Sequence, residues 1–132
     1  EVKKGIDIAV VTLEKNVNLE DFENVTLAEL QTEELPIGSE VTVYGWGAIE
    51  FLVESDKLKK TTMIVQHSDD LSCIAARNQY STICYGDSGG PLVSSDGKLA
   101  GIVSRLSVGG CFKGDKNYFT KVSDFIIWIL AQ

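Results

Sequence analysis

One stretch of sequence decides the fold: Cys84-Tyr85-Gly86-Asp87-Ser88-Gly89-Gly90-Pro91. A serine between glycines stands where the backbone can bend tightly and approach a ligand closely. The consecutive backbone N–H groups from Gly86 to Ser88 can converge on one oxyanion, which is the set of donors that acyl transfer needs. A bare Asp-Ser-Gly-Gly sequence is typical of an ordinary turn, but the full run is much more specific. The stretch therefore predicts a loop that presents a reactive serine.

Short apolar segments lie on both sides of this loop. They are predicted to be strands at residues 6–13, 41–46, 58–66, 91–94, 99–104 and 118–122. Asp96-Gly97 is a hairpin signal between two of them, whereas residues 48–57 read as an irregular loop. Ser123 can cap a terminal helix whose apolar residues are 125–130. The pattern predicts a β-rich domain with one C-terminal helix.

The composition fits one globular domain and excludes several functions. The chain has 132 residues, of which 44% are hydrophobic and 23% are charged. Its net charge of −7 repels phosphate, so we expect no nucleic-acid partner. The longest apolar run, residues 125–131, is too short to span a bilayer, so we expect no membrane insertion. The three cysteines and one histidine lack the spacing of a metal site, and we expect neither metal nor cofactor.

Two features are unusual for a complete protein. The opening Glu1-Val2-Lys3-Lys4 has neither an initiator methionine nor a signal sequence, so we expect the chain to begin inside a longer product. Three cysteines are an odd number for an extracellular domain, and the count alone fits three buried thiols in a cytosolic protein equally well. Asn24-Val25-Thr26 is a glycosylation sequon that matters only if the chain is secreted.

The stretch around Ser88 resembles the nucleophile motif of the trypsin/chymotrypsin-like serine proteases, Gly-Asp-Ser-Gly-Gly-Pro. Four further motifs match that family in order along nearly the whole chain: Asp7-Ile8-Ala9, Tyr44-Gly45-Trp46-Gly47, Gly101-Ile102-Val103-Ser104, and residues 122–129 with Trp128. Five motifs in the right order identify the chain as a member of this family.

The resemblance implies an all-β fold, the trypsin-like double β-barrel. Residues 1–35 are then expected to form the end of the first barrel and a linker. Residues 36–122 would form the complete second barrel, and residues 123–132 the terminal helix. These residues would be the C-terminal portion of the catalytic domain.

The resemblance also assigns catalytic roles. Ser88 would be the nucleophile, and the backbone N–H groups of Gly86 and Ser88 would form the oxyanion hole. Asp7 would orient and stabilise the catalytic histidine. Asp87 would pair with the new amino terminus that zymogen cleavage releases, which holds the oxyanion hole open.

The general base is absent from the matching positions. The only histidine, His67, lies in a polar segment that resembles no catalytic position of the family. Asp7, His67 and Ser88 follow the order of a subtilisin-like triad, but the serine motif belongs to the other family and an isolated loop histidine is usually solvent-exposed. We therefore expect an N-terminal segment outside this chain to supply the base, and we expect the isolated chain to be inactive.

Two cysteines match a bridge of the family. Cys84 and Cys111 correspond to the disulfide that joins the nucleophile loop to the far wall of the specificity pocket. Cys73 resembles half of another bridge whose partner is missing, because the segment before it is about a dozen residues short against the family pattern. Cys73 is therefore expected to be free or bonded outside the chain.

The expected substrate-binding residues are Thr82, Ser104, Arg105, Leu106 and Asn117. Thr82 would form the pocket floor, where an uncharged side chain argues against a basic P1 residue, the substrate residue whose carbonyl is attacked. Arg105 and Leu106 stand where the family usually has Trp-Gly, and Asn117 stands where a glycine is usual. Side chains in place of two glycines would narrow the pocket and favour small residues.

These features predict a secreted, extracellular serine endopeptidase made as a zymogen. Its partners would be a protein or peptide substrate, the N-terminal segment of its own domain, and protein inhibitors. The alternative is a catalytically inactive protease-like paralogue that binds partners through its surface, which Arg105, Leu106, Asn117 and the shortened segment before Cys73 favour.

Overall fold

The computed structural model describes residues 6–50 and 53–132. In these ranges the chain forms strands β1 Glu40–Gly45, β2 Ala48–Glu50, β3 Val53–Glu54, β4 Lys59–Gln66, β5 Cys73–Arg77, β6 Pro91–Ser94, β7 Leu99–Arg105 and β8 Asn117–Lys121. Short 3₁₀ helices occupy Leu19–Asp21 and Val122–Phe125, and helix α1 spans Ile126–Leu130.

Six of the strands close into a barrel in the order β1-β4-β5-β8-β7-β6. All neighbouring strands pair antiparallel, and Val41 of β1 lies opposite Met63 of β4. Alternate side chains point inward, so that Val41, Val43, Met63 and Val65 are all buried. Phe119 of β8 is fully buried among them. The predicted all-β architecture with a C-terminal helix is confirmed.

The predicted hairpin between β6 and β7 is also confirmed. The backbone N–H of Gly97 donates to the carbonyl oxygen of Ser94 at 2.9 Å, and Ser94 in turn donates to Lys98 at 2.9 Å. Gly97 has φ +85°, a backbone conformation that favours glycine over other residues. The Asp-Gly sequence therefore fixes the turn between β6 and β7.

The prediction of a buried strand over residues 6–13 is wrong. Within the described residues no other strand lies beside this segment to pair with its backbone, and it has no regular secondary structure. Its apolar side chains stay in contact with solvent, with Val11 81% exposed and Leu13 62% exposed. The apolar pattern alone is not enough, because a strand needs a hydrogen-bonded neighbour.

Ser123 does not cap a helix as predicted. The 3₁₀ helix begins at Val122 directly after β8, with extended Lys121 at the cap position and no capping side chain. Strand β5 is missed by the sequence pattern, because its first four residues are all buried and do not alternate.

The segment predicted as an irregular loop contains the short β2–β3 hairpin. Residues 51 and 52 of that segment lie outside the described residues, as do residues 1–5 of the segment assigned to a first barrel. In the part of the chain that the structure describes, no helix is long and apolar enough to cross a membrane.

Candidate active site

Ser88 lies on the loop between β5 and β6. Backbone hydrogen bonds join the end of this loop to strand β7. The N–H of Gly89 donates to the carbonyl of Val103 at 2.9 Å, and the N–H of Val103 donates to Gly90 at 2.9 Å. Gly86 and Gly89 have φ values of +93° and +80°, so both glycines are needed for the path of the loop. Ser88 is exposed on this fixed loop, as a nucleophile must be.

The carboxylate of Asp87 points away from Ser88 into the barrel wall. Its Oδ1 accepts from the N–H of Gly47 at 2.8 Å, and its Oδ2 accepts from the N–H of Cys84 at 2.9 Å. A Cβ on either Gly45 or Gly47 would overlap this carboxylate, so the two glycines make the space that Asp87 occupies. Gly45 and Gly47 are thus positioning residues, although the sequence marked them only as a family motif.

The same loop contains two backbone N–H groups, those of Gly86 and Ser88, that are free to bind an anion. Among the described residues, no protein oxygen accepts from the N–H groups of Gly86 or Ser88. Gly86 is exposed, but a Cβ added at this position would lie 3.3 Å from Gly47 Cα. The loop therefore packs closely against the connection between β1 and β2. Two donors fixed by such packing suit an oxyanion that develops beside Ser88.

Asp7 is joined to the barrel by two hydroxyl groups. Ser104 donates to its Oδ2 at 2.7 Å, and Thr120 donates to its backbone carbonyl at 2.7 Å. Ser104 also lines the cavity of about 400 Å³ that Ser88 borders. Asp7 is therefore linked to one wall of the cavity that Ser88 also lines, through the residue that sequence reasoning placed in the substrate cleft.

The cavity beside Ser88 contains three of the five predicted substrate-binding residues: Ser104, Arg105 and Leu106. Thr82 and Asn117 do not line it. The Thr82 hydroxyl donates to Asn117 Oδ1 at 3.1 Å, and Asn117 is buried with an exposed fraction of 1%. Leu106 also packs against the barrel core.

Arg105 spans from the end of β7 to the loop between β4 and β5. Its Nη2 lies 3.0 Å from Asp70 Oδ2, its Nη1 lies 3.4 Å from Cys73 Sγ, and its guanidinium carbon lies 4.8 Å from the ring centre of Tyr118. The hydrogen bond from Arg105 holds the pKa of Asp70 below its usual range. Burial lowers the pKa of Arg105, but its contacts with Asp70 and Cys73 outweigh this and leave the pKa raised. Neither Asp70 nor Tyr118 carries a sequence signal for this contact.

The cysteine pairing is as the resemblance implied. Cys84 and Cys111 form a disulfide, with their Cα atoms 5.2 Å apart. Cys73 is free within the described residues and buried, and burial raises the pKa of its thiol.

His67 lies away from these groups. Its Nε2 is 3.3 Å from Asp69 Oδ1, and 71% of its side chain is exposed. It lines a separate cavity of about 140 Å³ with Glu34 and Lys121. Across residues 6–50 and 53–132, no group of His, Cys, Asp or Glu side chains could hold a metal ion. Asn24 lies in an exposed turn with φ +61°.

This antiparallel barrel, with Ser88 exposed on a loop that the half-buried Asp87 carboxylate anchors, has the architecture of one barrel of the chymotrypsin-type fold. A family model described as Trypsin matches residues 1–129. The chain therefore belongs to the trypsin family of serine proteases.

Individual relatives agree with this assignment. The chain is 32% identical to phenoloxidase-activating factor 3 of Holotrichia diomphalia, over 93% of this chain and 40% of that protein. It resembles the structure of neuropsin, a serine protease expressed in the limbic system of mouse brain, with a TM-score of 0.74 and 25% identity over 81% of this chain and 53% of neuropsin. A mutant of human heparin binding protein gives a TM-score of 0.75 and 26% identity over 89% of this chain and 53% of that one. The chain spans about half the length of these relatives.

Proposed function

We propose that the protein containing this chain is a secreted serine endopeptidase in which Ser88 is the nucleophile. The observation that carries the proposal is the hydrogen bond from Ser104 to Asp7 at the edge of the cavity that Ser88 borders. This contact supports the proposal because Ser104, which is bonded to the carboxylate that would orient a base, lines the same cavity as the hydroxyl that would be deprotonated. The Cys84–Cys111 disulfide and the exposed sequon at Asn24 support secretion.

In the proposed reaction, Ser88 Oγ attacks the carbonyl carbon of the scissile bond and a base takes its proton. The N–H groups of Gly86 and Ser88 stabilise the oxyanion. The base then returns the proton to the leaving amine, which gives an acyl-enzyme that water hydrolyses. The base is a histidine from an N-terminal segment outside this chain, because His67 contacts Asp69 and lies apart from Asp7 and Ser88.

We assign the zymogen switch to Asp87. Asp87 lines a cavity of about 620 Å³ that adjoins the one beside Ser88 and shares with it Ile83, Cys84, Tyr85, Gly109 and Gly110. An amino terminus released by cleavage would enter this cavity and pair with Asp87, as the family resemblance implies. Asp87 would then be held by an ion pair with this amino terminus as well as by the backbone N–H groups of Gly47 and Cys84.

The P1 residue would be small and uncharged. Thr82 carries no charge and its hydroxyl is engaged by the buried Asn117, so it offers no partner to a basic P1 side chain. Leu106 lines the cavity beside Ser88 where the family usually has a glycine, and this added side chain favours a small P1 residue.

The second candidate is a binding protein without protease activity. Arg105 and Leu106 line the cavity beside Ser88 at the two positions where the family usually has Trp-Gly, which alters the surface that a substrate backbone would meet. One structural relative is described as a heparin binding protein rather than as a protease. Protein inhibitors would be partners of the first candidate only.

A fluorophosphonate probe, which labels only activated serines, separates the candidates. The full-length protein should be labelled at Ser88, its Ser88→Ala variant should not, and the isolated chain should remain unlabelled because it has no base. Labelling of the isolated chain would refute the need for an outside base. A full-length protein that is folded and not labelled would support the binding protein.

A further inference from the structure

Ser104 lies at an irregular point of strand β7. Val103 pairs with Phe119 of β8, and Arg105 pairs with Tyr118, so two residues of β7 span one step of β8, as in a β-bulge. Ser104 is the extra residue, and a bulge of this kind changes the direction in which a side chain points. The aim of the Ser104 hydroxyl therefore depends on how the two sides of the bulge are held.

The backbone fixes only one side of this bulge. The N–H of Val103 donates to the carbonyl of Gly90, and the carbonyl of Val103 accepts from the N–H of Gly89, both at 2.9 Å. On the other side, Arg105 is the last residue of β7, and the described residues from 106 to 116 form no strand or helix. Backbone pairing with β8 therefore ends at Arg105, and its side chain supplies the remaining contacts on this side.

The side chain of Arg105 reaches across β8 to the start of β5. Strand β8 lies between β7 and β5 in the barrel. The guanidinium carbon lies 4.8 Å from the ring centre of Tyr118 on β8. Its Nη1 lies 3.4 Å from Cys73 Sγ on β5, and its Nη2 lies 3.0 Å from Asp70 Oδ2, three residues before β5. One side chain thus joins three adjacent strands at the end of the barrel where Ser104 lies.

Asp70 is itself fixed, so that it can anchor this contact. Its Oδ1 accepts from the N–H of Ser72 at 3.1 Å, while its Oδ2 accepts from Arg105. Its backbone carbonyl accepts from the hydroxyl of Ser68 at 2.8 Å and from the N–H of Cys73 at 3.0 Å. A charge-assisted hydrogen bond between a guanidinium and a carboxylate has a defined geometry. The pair therefore fixes the distance between the end of β7 and the start of β5.

The two hydroxyl groups that hold Asp7 lie on the strands that Arg105 joins. Ser104 is on β7, and Thr120 is on β8, where it pairs with Cys73 of β5. The spacing of these strands decides where the two hydroxyl groups meet Asp7. Loosening the contact of Arg105 with β5 would therefore shift the Ser104 hydroxyl relative to that of Thr120.

We propose that Arg105 and Asp70 are positioning residues for Asp7. Their ion pair holds the bulge of β7 so that the Ser104 hydroxyl meets the Asp7 carboxylate. This inference rests on the proposed function and deepens it, because Asp7 would orient the base that deprotonates Ser88. Asp70 lies outside the lining of the cavity beside Ser88, so its replacement changes how Asp7 is held and leaves the binding surface in place.

The test is Asp70→Asn in the full-length protein, assayed with a peptide that has alanine at P1. Because a small displacement of a catalytic group is costly, kcat should fall about tenfold while KM stays the same. Asp96→Asn is the matched control, since Asp96 pairs with Lys98 at 3.6 Å just before the other end of β7. This control should leave kcat unchanged. An unchanged kcat in Asp70→Asn, or an equal fall in Asp96→Asn, would overturn the inference.

A double-mutant cycle tests the route through Ser104. Ser104→Ala removes the hydroxyl that donates to Asp7 and should itself lower kcat. In the Ser104→Ala background, Asp70→Asn should cause no further fall, because the contact that it disturbs is already gone. The full fall of kcat in both backgrounds would mean that Asp70 acts by another route, and it would overturn the inference.

A stability measurement separates this inference from the proposed function, because it needs no catalysis. Ser104→Ala should lower the thermal unfolding temperature less in the Asp70→Asn background than in the natural sequence, since the hydroxyl that it removes is already misplaced. The shift should be the same in the natural sequence and in Asp96→Asn. Coupling of this kind in a protein that cleaves no peptide would refute the endopeptidase and keep the positioning pair. Additive shifts would overturn the inference even in an active enzyme.

Discussion

Replacing Gly47 by alanine tests how the loop of Ser88 is held. The added methyl group would lie 2.5 Å from Oδ1 and 2.6 Å from Oδ2 of Asp87, so the carboxylate must leave its position. It would lose the hydrogen bonds from the N–H groups of Gly47 and Cys84. Hydrogen bonds to a charged group contribute about 1.5–3 kcal/mol each, and a half-buried carboxylate recovers part of this from water. We expect Gly47→Ala to lower the free energy of unfolding by about 2–4 kcal/mol.

Denaturant unfolding followed by tryptophan fluorescence measures this change, since Trp46 adjoins the site. Gly38→Ala is the matched control: it introduces a methyl with nothing within 4 Å at φ +91°, so it tests only backbone strain, which costs about 1–2 kcal/mol. A double-mutant cycle with Asp87→Ala isolates the overlap. If Gly47→Ala destabilises the Asp87→Ala background as much as the natural protein, the reasoning is refuted.

Three further predictions concern groups outside the nucleophile loop. The thiol of Cys73, 2% exposed and with its pKa raised by burial, should react with a thiol reagent at neutral pH only after unfolding; rapid reaction of the native protein would contradict its burial. Because Arg105 lowers the pKa of Asp70, their ion pair should stabilise the fold fully above the unfolded carboxyl pKa of about 3.9. This stabilisation should be lost as the pH falls through the lower pKa of the folded state. Asp70→Asn should remove that part of the pH dependence of the thermal unfolding temperature. Asn24, exposed and at φ +61°, should carry a glycan in protein secreted from eukaryotic cells, so treatment with an N-glycosidase should increase its electrophoretic mobility and Asn24→Gln should not respond.

The sequence predicts the barrel well where strands alternate or end in a strong turn. Strand β1 alternates buried residues with less buried ones, and Asp96-Gly97 fixes the hairpin after β6. Strand β5 was missed because its first four residues are buried without alternation. The prediction of a strand over residues 6–13 is wrong, because an apolar pattern indicates that a segment can form a strand but not that a neighbouring strand is present to pair with it.

Only part of the candidate site could likewise be predicted from the sequence. The resemblance gave the loop of Ser88 and the Cys84–Cys111 pairing, and the disulfide is confirmed. The resemblance does not predict the contact between Arg105 and Asp70, because the two residues are 35 positions apart in the sequence and meet only when β7 closes the barrel. Long-range side-chain contacts of this kind leave no local pattern in a single sequence.

The two halves of the candidate site are held with unequal strength. The loop of Ser88 is fixed by a disulfide, by backbone hydrogen bonds to β7 and by the carboxylate of Asp87. Within the described residues, Asp7 is held by two hydroxyl hydrogen bonds, on a segment where Val11 and Leu13 remain exposed. Since local stability follows buried contacts, the loop of Ser88 is expected to open less readily than residues 6–13. Ser104 bonds Asp7 and also lines the cavity beside Ser88, so a shift of residues 6–13 would reach that cavity through Ser104.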